Sequence, residues 1–297
     1  MATNTLAAAE PVHAPKPRLI GFARRVRARP LFLLGIALVS ALVLVAVLGP
    51  FLVQYSPIEQ DTVNPPLAPP SAAHLMGTDY LGRDALSRLL YGAGVSLQVG
   101  IASVALASIP GIVLGMIAVY RGGWLDDLIN RFLDALMAFP SLVLALAIVA
   151  VVGPSLLNVE LAIAVASLPH YARLVRGQVL AVREFEYVTA IRAVGARDVR
   201  IMFRHVLPNV ISPTLVQASL GVGFAITAEA SLSFLGLGVQ PPAPTWGSMI
   251  QTGFQYLEVA PWLVVAPGTM IFVAVLGFNL LGDGIREALD PHMRSAN

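Results

Sequence analysis

The sequence predicts an all-α, polytopic membrane protein. It has six transmembrane helices, both termini cytoplasmic, and an amphipathic helix between the fourth and fifth spans. Three observations carry that expectation. Of 297 residues, 57% are hydrophobic and only 12% are charged, with a mean hydropathy of +0.76. A soluble domain carries roughly 25% charged residues, so this chain cannot cover a water-facing surface. Its apolar residues gather into runs close to the roughly 20 residues a helix needs to cross a bilayer core. Its positive charge falls on one side of those runs, as cytoplasmic loops require.

Residues 1–30 place Lys16, Arg18, Arg24, Arg25, Arg27 and Arg29 among Pro and Ala, and read as a cytoplasmic tail. The run 31–53 is the first span; it is too long for a signal-peptide core and lacks a small-residue cleavage site, so it reads as an uncleaved anchor. Residues 54–93 are polar and rich in Pro (Pro57, Pro65, Pro66, Pro69, Pro70) and form an extracytoplasmic loop. The core domain, 94–284, holds the other five spans. Span two covers 95–120, with Pro110 and Gly111 marking a kink. After a turn at Arg121, Gly122 and Gly123, span three covers 132–152 and contains Pro140. Gly153 and Pro154 turn the chain into span four, whose charge-free core is 161–172; it extends over 156–173 if Arg173 snorkels to the interface. Span five covers 210–235 and span six 262–281, followed by a cytoplasmic tail at 285–297.

The charge census tests this layout. Of 19 basic residues, only Arg83 and Arg88 fall in expected extracytoplasmic loops, and the loop 236–261 has none. Cytoplasmic termini therefore satisfy the positive-inside rule, and the inverted arrangement violates it at every other basic position.

Composition also excludes chemistry. With no Cys there are no disulfides, thiolate metal sites or cysteine nucleophiles, and the five His residues show no paired ligand spacing. There is no Gly-x-x-x-x-Gly-Lys phosphate loop, and the single Lys lies in the N-terminal tail, so the chain has no ATP site of that kind. A self-contained ion-coupled carrier needs ionisable residues deep in the membrane. Within the well-defined spans only Glu229 qualifies. It stands 21 residues after Pro208, roughly 31 Å along a helix, which puts it near the outer face. A membrane-embedded hydrolase lacks its nucleophile and base, and nothing points to nucleic acid.

The segment 170–209 is where outside energy enters. It holds seven arginines: Arg173, Arg176, Arg183, Arg192, Arg197, Arg200 and Arg204. Gly195 permits a chain break, Asp198 is the expected N-cap, and Val199, Met202, Phe203 and Val206 form one apolar stripe. Arg197, Arg200 and Arg204 fall on a different face. Such a helix suits either the groove of a partner protein or an anionic lipid surface.

The order Thr189-Ala190-Ile191, Gly195, Leu207-Pro208 resembles the cytoplasmic coupling loop of bacterial ATP-binding-cassette importer permeases. That loop reads Glu-Ala-Ala, three residues, Gly, nine residues, Ile, one residue, Leu-Pro. Thr189, Ile191 and His205 depart from it; Ala190, Gly195, Leu207 and Pro208 fit. Three further motifs are similar to the dipeptide, oligopeptide and nickel branch. These are Met76-Gly77-Thr78-Asp79-Tyr80-Leu81-Gly82-Arg83-Asp84 with Ser87-Arg88, Gly236-Leu237-Gly238-Val239-Gln240-Pro241-Pro242 with Trp246-Gly247, and Phe278-Asn279-Leu280-Leu281-Gly282-Asp283-Gly284 with Asp290-Pro291.

The resemblance implies a non-catalytic permease in a bacterial plasma membrane, forming half of a translocation path for di- and oligopeptides; nickel and glutathione importers share its motifs. It implies four kinds of neighbour: a second homologous permease, two cytosolic ATP-binding subunits that hold the ATP and Mg, an extracytoplasmic substrate-binding protein, and membrane lipid. The expected ATPase-coupling loop, within 183–208, uses Thr189, Ala190, Gly195, Ala196, Arg197, Val199, Met202, Phe203, Leu207 and Pro208. Glu229 reads either as a carboxylate at the outer mouth that meets a peptide's amino group or as a helix-end side chain that snorkels to water or pairs with a neighbouring chain. Arg83 and Asp84 read either as groups that meet the substrate or as part of a turn with a capped helix starting near Thr78 or Asp79. Trp246 reads as an aromatic anchor at the outer interface.

Overall fold

The computed structural model describes residues 29–289; the tail 1–28 and residues 290–297, with Asp290 and Pro291, lie outside the described residues. Among the described residues the regular structure is helical, apart from one β-bridge between Thr78 and Asp84.

Helix α1, Pro30–Leu52, starts on a Pro whose missing N–H costs nothing in a first turn. Helix α2, Ala85–Arg121, is 37 residues long and begins well before the expected 95. Its N-cap is Asp84, whose Oδ2 accepts from the Ser87 N–H and Oγ, both at 2.7 Å. The expected start near Thr78 or Asp79 is therefore corrected: the Asp79 carboxylate is engaged instead by the N–H groups of Leu81 and Arg83, which fold 77–84 into a loop.

Expected span three is not one straight helix. It divides into α3, Gly123–Met137, and α4, Ser141–Val152, bent by 88°. Pro140 has no N–H to give the preceding turn and its ring displaces that turn's carbonyl, so the helix must restart after it. Helix α5, Leu156–Arg183, outruns the expected 156–173. The bidentate pair of Arg176 with Asp126, at 2.8 and 2.7 Å, and the pair of Arg173 with Asp134 hold α3 against it. Short helices α6, Glu186–Ala193, and α7, Asp198–Ile201, precede a π-helical turn, Met202–Val206, and helix α8, Leu207–Phe234. Helix α9, Trp246–Phe254, lies in what the sequence presents as a loop, and α10, Trp262–Leu289, continues past 281.

Among the described residues four helical stretches are long and apolar enough to cross a membrane: α1, α2, α7 through α8, and α10; the bent α3–α4 pair makes five. Helix α5 falls short because Asn158, Glu160, His170 and Arg173 interrupt its apolar run. The six expected spans are thus not all evident from length and hydropathy.

The α2–α5 contact is the most extensive between any two helices. It depends on Gly111 and Gly115: a Cβ there would stand 2.6 Å from the Tyr171 Cβ or the Ala172 carbonyl oxygen. Small residues four apart let backbones approach in this way inside membranes. A large core joins α2, α5, α8 and α9 through Val99, Ile163, Ile226, Leu232 and Trp246. A second core, at the end that bears α6 and α7, joins Met116, Val119, Val175, Val179, Val188, Ile201, Val206 and Val210.

Candidate coupling surface and outer loops

Helix α6 ends in a Schellman arrangement: Gly195 N–H donates to the Arg192 carbonyl at 3.0 Å and Ala196 N–H to the Ile191 carbonyl at 3.3 Å. Gly195 has φ +84°, a conformation that costs any residue with a Cβ, which is why the sequence has Gly here. Arg197, extended at φ −69° and ψ 143°, then leads into α7. Asp198 is not the N-cap: it is the first helical residue, its side chain caps nothing, and Arg192 Nη2 lies 3.5 Å from its Oδ1. Its charge still suits a helix N-terminus.

The expected apolar stripe divides. Val206 is fully buried, Val199 is 64% exposed and Phe203 58% exposed. The cause is the π turn at Met202–Val206, whose wider winding rotates Val206 away from the face that Val199 and Phe203 share. Arg197, Arg200 and Arg204 do not form a separate face. They line one concave surface of about 1170 Å³ together with Gly195, Ala196, Val199 and Phe203. Met202 is half-buried, Thr189 and Ala190 are exposed on α6 outside this concavity, and Leu207 and Pro208 open α8.

Beneath the surface Val188, Ile201 and Val206, all 0% exposed, join the core that includes Val175 and Val179 of α5 and Met116 and Val119 of α2. Helix α7 also runs through the π turn into α8 without a chain break. Helix α7 and the π turn are therefore tied to α2, α5 and α8 through packed side chains rather than by a slack loop.

In the loop before α2, His74 is 1% exposed; its Nδ1 lies 2.9 Å from Asp84 Oδ1 and its Nε2 2.8 Å from Asp61 Oδ2. Burial alone disfavours a charged imidazole, but the hydrogen bonds from Asp61 and Asp84 outweigh it and raise the His74 pKa. Asn64 first, then His74 and the Val63 N–H, hold Asp61 well below the usual carboxylate range. With each ring nitrogen facing a carboxylate, His74 clamps residue 61 to the cap of α2. Arg83 and Arg88 both reach Asp79, at 2.7 and 3.4 Å, and Arg88 Nη1 donates to the Pro57 carbonyl at 2.9 Å. These groups knit the loop.

Two expectations at the C-terminal end of α8 are corrected. Trp246 is 0% exposed: it heads α9, donates from Nε1 to the Leu89 carbonyl at 3.2 Å, and anchors a core rather than an interface. Glu229 is 0% exposed and accepts from Ser233 Oγ at 2.6 Å, so it opens toward no mouth within this chain. Its Oε2 has no partner among the described residues. Both follow from α9 folding back over α8, with Gly247 meeting Ala230 and Ser233 at distances a Cβ would not allow. The signal for α9 was present in Thr245 and Ser248, which form a reciprocal capping box. Glu160, 6% exposed and bonded by Gln98 Nε2 at 3.1 Å, is a second buried carboxylate; it lay just outside the charge-free core 161–172 that marked span four. Among the described residues no three His, Asp or Glu side chains gather to hold a metal ion.

A bundle of long apolar helices with a basic, exposed concavity at one end fits a membrane-embedded protein. The comparisons identify which kind. Residues 111–295 match the family described as binding-protein-dependent transport system inner membrane component, and residues 20–70 match the N-terminal TM domain of oligopeptide transport permease C. The chain is 47% identical over 272 residues to the dipeptide transport system permease protein DppC of Alkalihalophilus pseudofirmus, covering 92% of this chain and 89% of that one. It is 47% identical over 270 residues to the di/tripeptide transport system permease protein DppC of Pseudomonas aeruginosa, covering 88% of each. Over 226 residues it is 47% identical to the glutathione transport system permease protein GsiD of Pectobacterium atrosepticum, covering 76% of this chain and 75% of that one. The fold is similar to that of an inward-facing MetNI methionine ABC transporter chain, with a TM-score of 0.56 at 20% identity, covering 68% of this chain and 96% of that one. The chain belongs to the binding-protein-dependent transport system inner membrane component family: it is an ABC transporter permease, a non-catalytic membrane subunit.

Proposed function

We propose that this chain forms half of the translocation path of an ATP-driven importer of di- and oligopeptides in a bacterial plasma membrane. The chain crosses the membrane six times, with α5 as the fourth span and both termini cytoplasmic. It pairs with a second permease of its family, and an extracytoplasmic binding protein delivers the peptide. Two cytosolic ATPases, which bind the ATP and Mg, grip the concave surface around Gly195 and Phe203. The observation that carries this reading is that surface: apolar and basic, exposed, yet continuous with the buried packing of α2, α5 and α8. Nucleotide-driven closure of the ATPases displaces α7, and the spans packed on it move between inward- and outward-open arrangements, a population shift powered by differential binding.

The 47% identity to a glutathione permease supports a second substrate reading, since glutathione is itself a small peptide. The test is uptake into proteoliposomes that hold all the subunits. Labelled dipeptide enters only with ATP and the binding protein present. Uptake driven by an ion gradient without ATPases would instead establish a self-contained carrier.

A further inference from the structure

Between α4, α5 and α8 lies a cavity of about 270 Å³ whose lining includes Ser141, Ser167, His170, Tyr171, Gln217 and Phe224. Its depth follows from the helices. His170 stands 14 positions after Leu156 and 13 before Arg183, roughly 20 Å from either end of α5. Ser141 begins α4, roughly 17 Å from its far end at Val152, and Gln217 lies roughly 15 Å into α8. On the proposed spans 156–173 and 210–235 the cavity lies inside the membrane in its cytoplasmic half, with His170 roughly 5 Å from the Arg173 end and Gln217 roughly 10 Å into span five. His170 is nonetheless exposed, and Ser141, Ser167 and Gln217 are only half-buried. Polar side chains at that depth almost always face a bundle interior or a water-filled space, because hydrocarbon cannot hydrogen-bond to them. This face therefore borders water or another helix rather than lipid.

The lining contains hydroxyls, an imidazole and a carboxamide, and no Asp, Glu, Lys or Arg. The nearest cation along α5, Arg173, is paired with Asp134. Groups that both donate and accept, without fixed charge, match the alternating N–H and C=O of a peptide main chain and do not select side chains by sign. The volume is below the about 300–1,000 Å³ of sites that enclose a whole drug-sized ligand, so the cavity touches part of a passing chain. We propose that it is a contact site for the main-chain amides of the transported peptide, a proposal that rests on the peptide reading above.

The test uses the complete transporter in proteoliposomes. The double variant His170→Leu/Gln217→Leu should take up peptide at least 10-fold more slowly, while ATP hydrolysis stimulated by loaded binding protein stays within about twofold. His170→Gln with Gln217→Asn, which keeps polar groups at both positions, should recover most of the uptake. Unchanged uptake by the double leucine variant in normally assembled complexes would overturn the proposal. Should that variant fail to assemble, Ser167→Cys, nearly isosteric in a chain without Cys, decides. A hydrophilic thiol reagent should modify it, several-fold more slowly when peptide-loaded binding protein and ATP are present; no reaction, or a rate indifferent to peptide, overturns the site. Indifference to peptide while the wild type still imports it removes this site alone. A wild-type complex that moves no peptide removes the peptide reading and the site together.

Discussion

Replacing Phe203 should detach the ATPases without unfolding the chain. Phe203 is 58% exposed, so the larger part of its side chain is not packed within this subunit. A Phe side chain carries about 200 Å² of surface, which leaves about 120 Å² to be covered by a partner. At about 25 cal/mol per Å² that burial is worth about 3 kcal/mol, and about 3 kcal/mol corresponds to roughly a 100-fold change in Kd. Truncation of a central aromatic anchor commonly costs that much. Phe203→Ala should thus weaken ATPase binding by up to about 100-fold, and Phe203→Asp by more, because it buries a charge in an apolar contact. The assay is titration of purified ATPase against the permease in nanodiscs, with membrane levels of each variant measured alongside. Wild-type affinity in both variants, at normal protein levels, would refute the assignment of this face.

Three further outcomes test the surrounding account. The His74 pKa is raised by its carboxylate partners, so the clamp stabilises the loop fully below about pH 6.5 and loses that contribution as pH rises through the folded value, while Asp61 contributes only above its ordinary range near pH 4. Hydrogen exchange corrected for intrinsic rates should show residues 55–84 better protected at pH 6 than at pH 9, and His74→Gln should abolish that difference; equal protection in wild type would contradict the clamp. Glu229→Gln keeps an acceptor for Ser233 and should retain uptake within about twofold; a loss of tenfold or more with normal assembly would show that the carboxylate charge itself is required. In this Cys-free chain, Gln240→Cys should react with a membrane-impermeant thiol reagent added outside intact cells, and Val194→Cys only after permeabilisation; the reverse pattern would invert the topology.

What the sequence made legible follows from which forces act locally. Helices α1, α8 and α10 were visible because lipid demands about 20 apolar residues wherever a chain crosses it, whatever its neighbours. The basic segment around Gly195 was visible because its arginines and its glycine are a matter of composition and backbone freedom. The division of its stripe was not, since a 3.6-residue period cannot anticipate the π turn at Met202–Val206. From sequence, Pro140 falls inside a single expected span, because the 88° bend is fixed with the help of pairs between Asp126 and Arg176 and between Asp134 and Arg173, some forty to fifty residues away. Nine-residue α9 was hidden because tertiary packing defines it: Trp246 looked like an interfacial aromatic until Leu89 and Ser96 were brought to it. Glu229 illustrates the same limit. Its depth along α8 could be counted, but the hairpin that encloses it could not.

The central claim is that the concave face around Gly195 and Phe203 holds a protein, where its basic, apolar character would equally suit a lipid surface. A photoactivatable group attached through Val199→Cys reports this directly in the assembled, membrane-embedded transporter, because Val199 is 64% exposed on that face and the chain has no other Cys. Illumination should yield an adduct with the mass of this chain plus one ATP-binding subunit, in an amount that changes when nucleotide is added. An adduct with lipid alone would contradict the account.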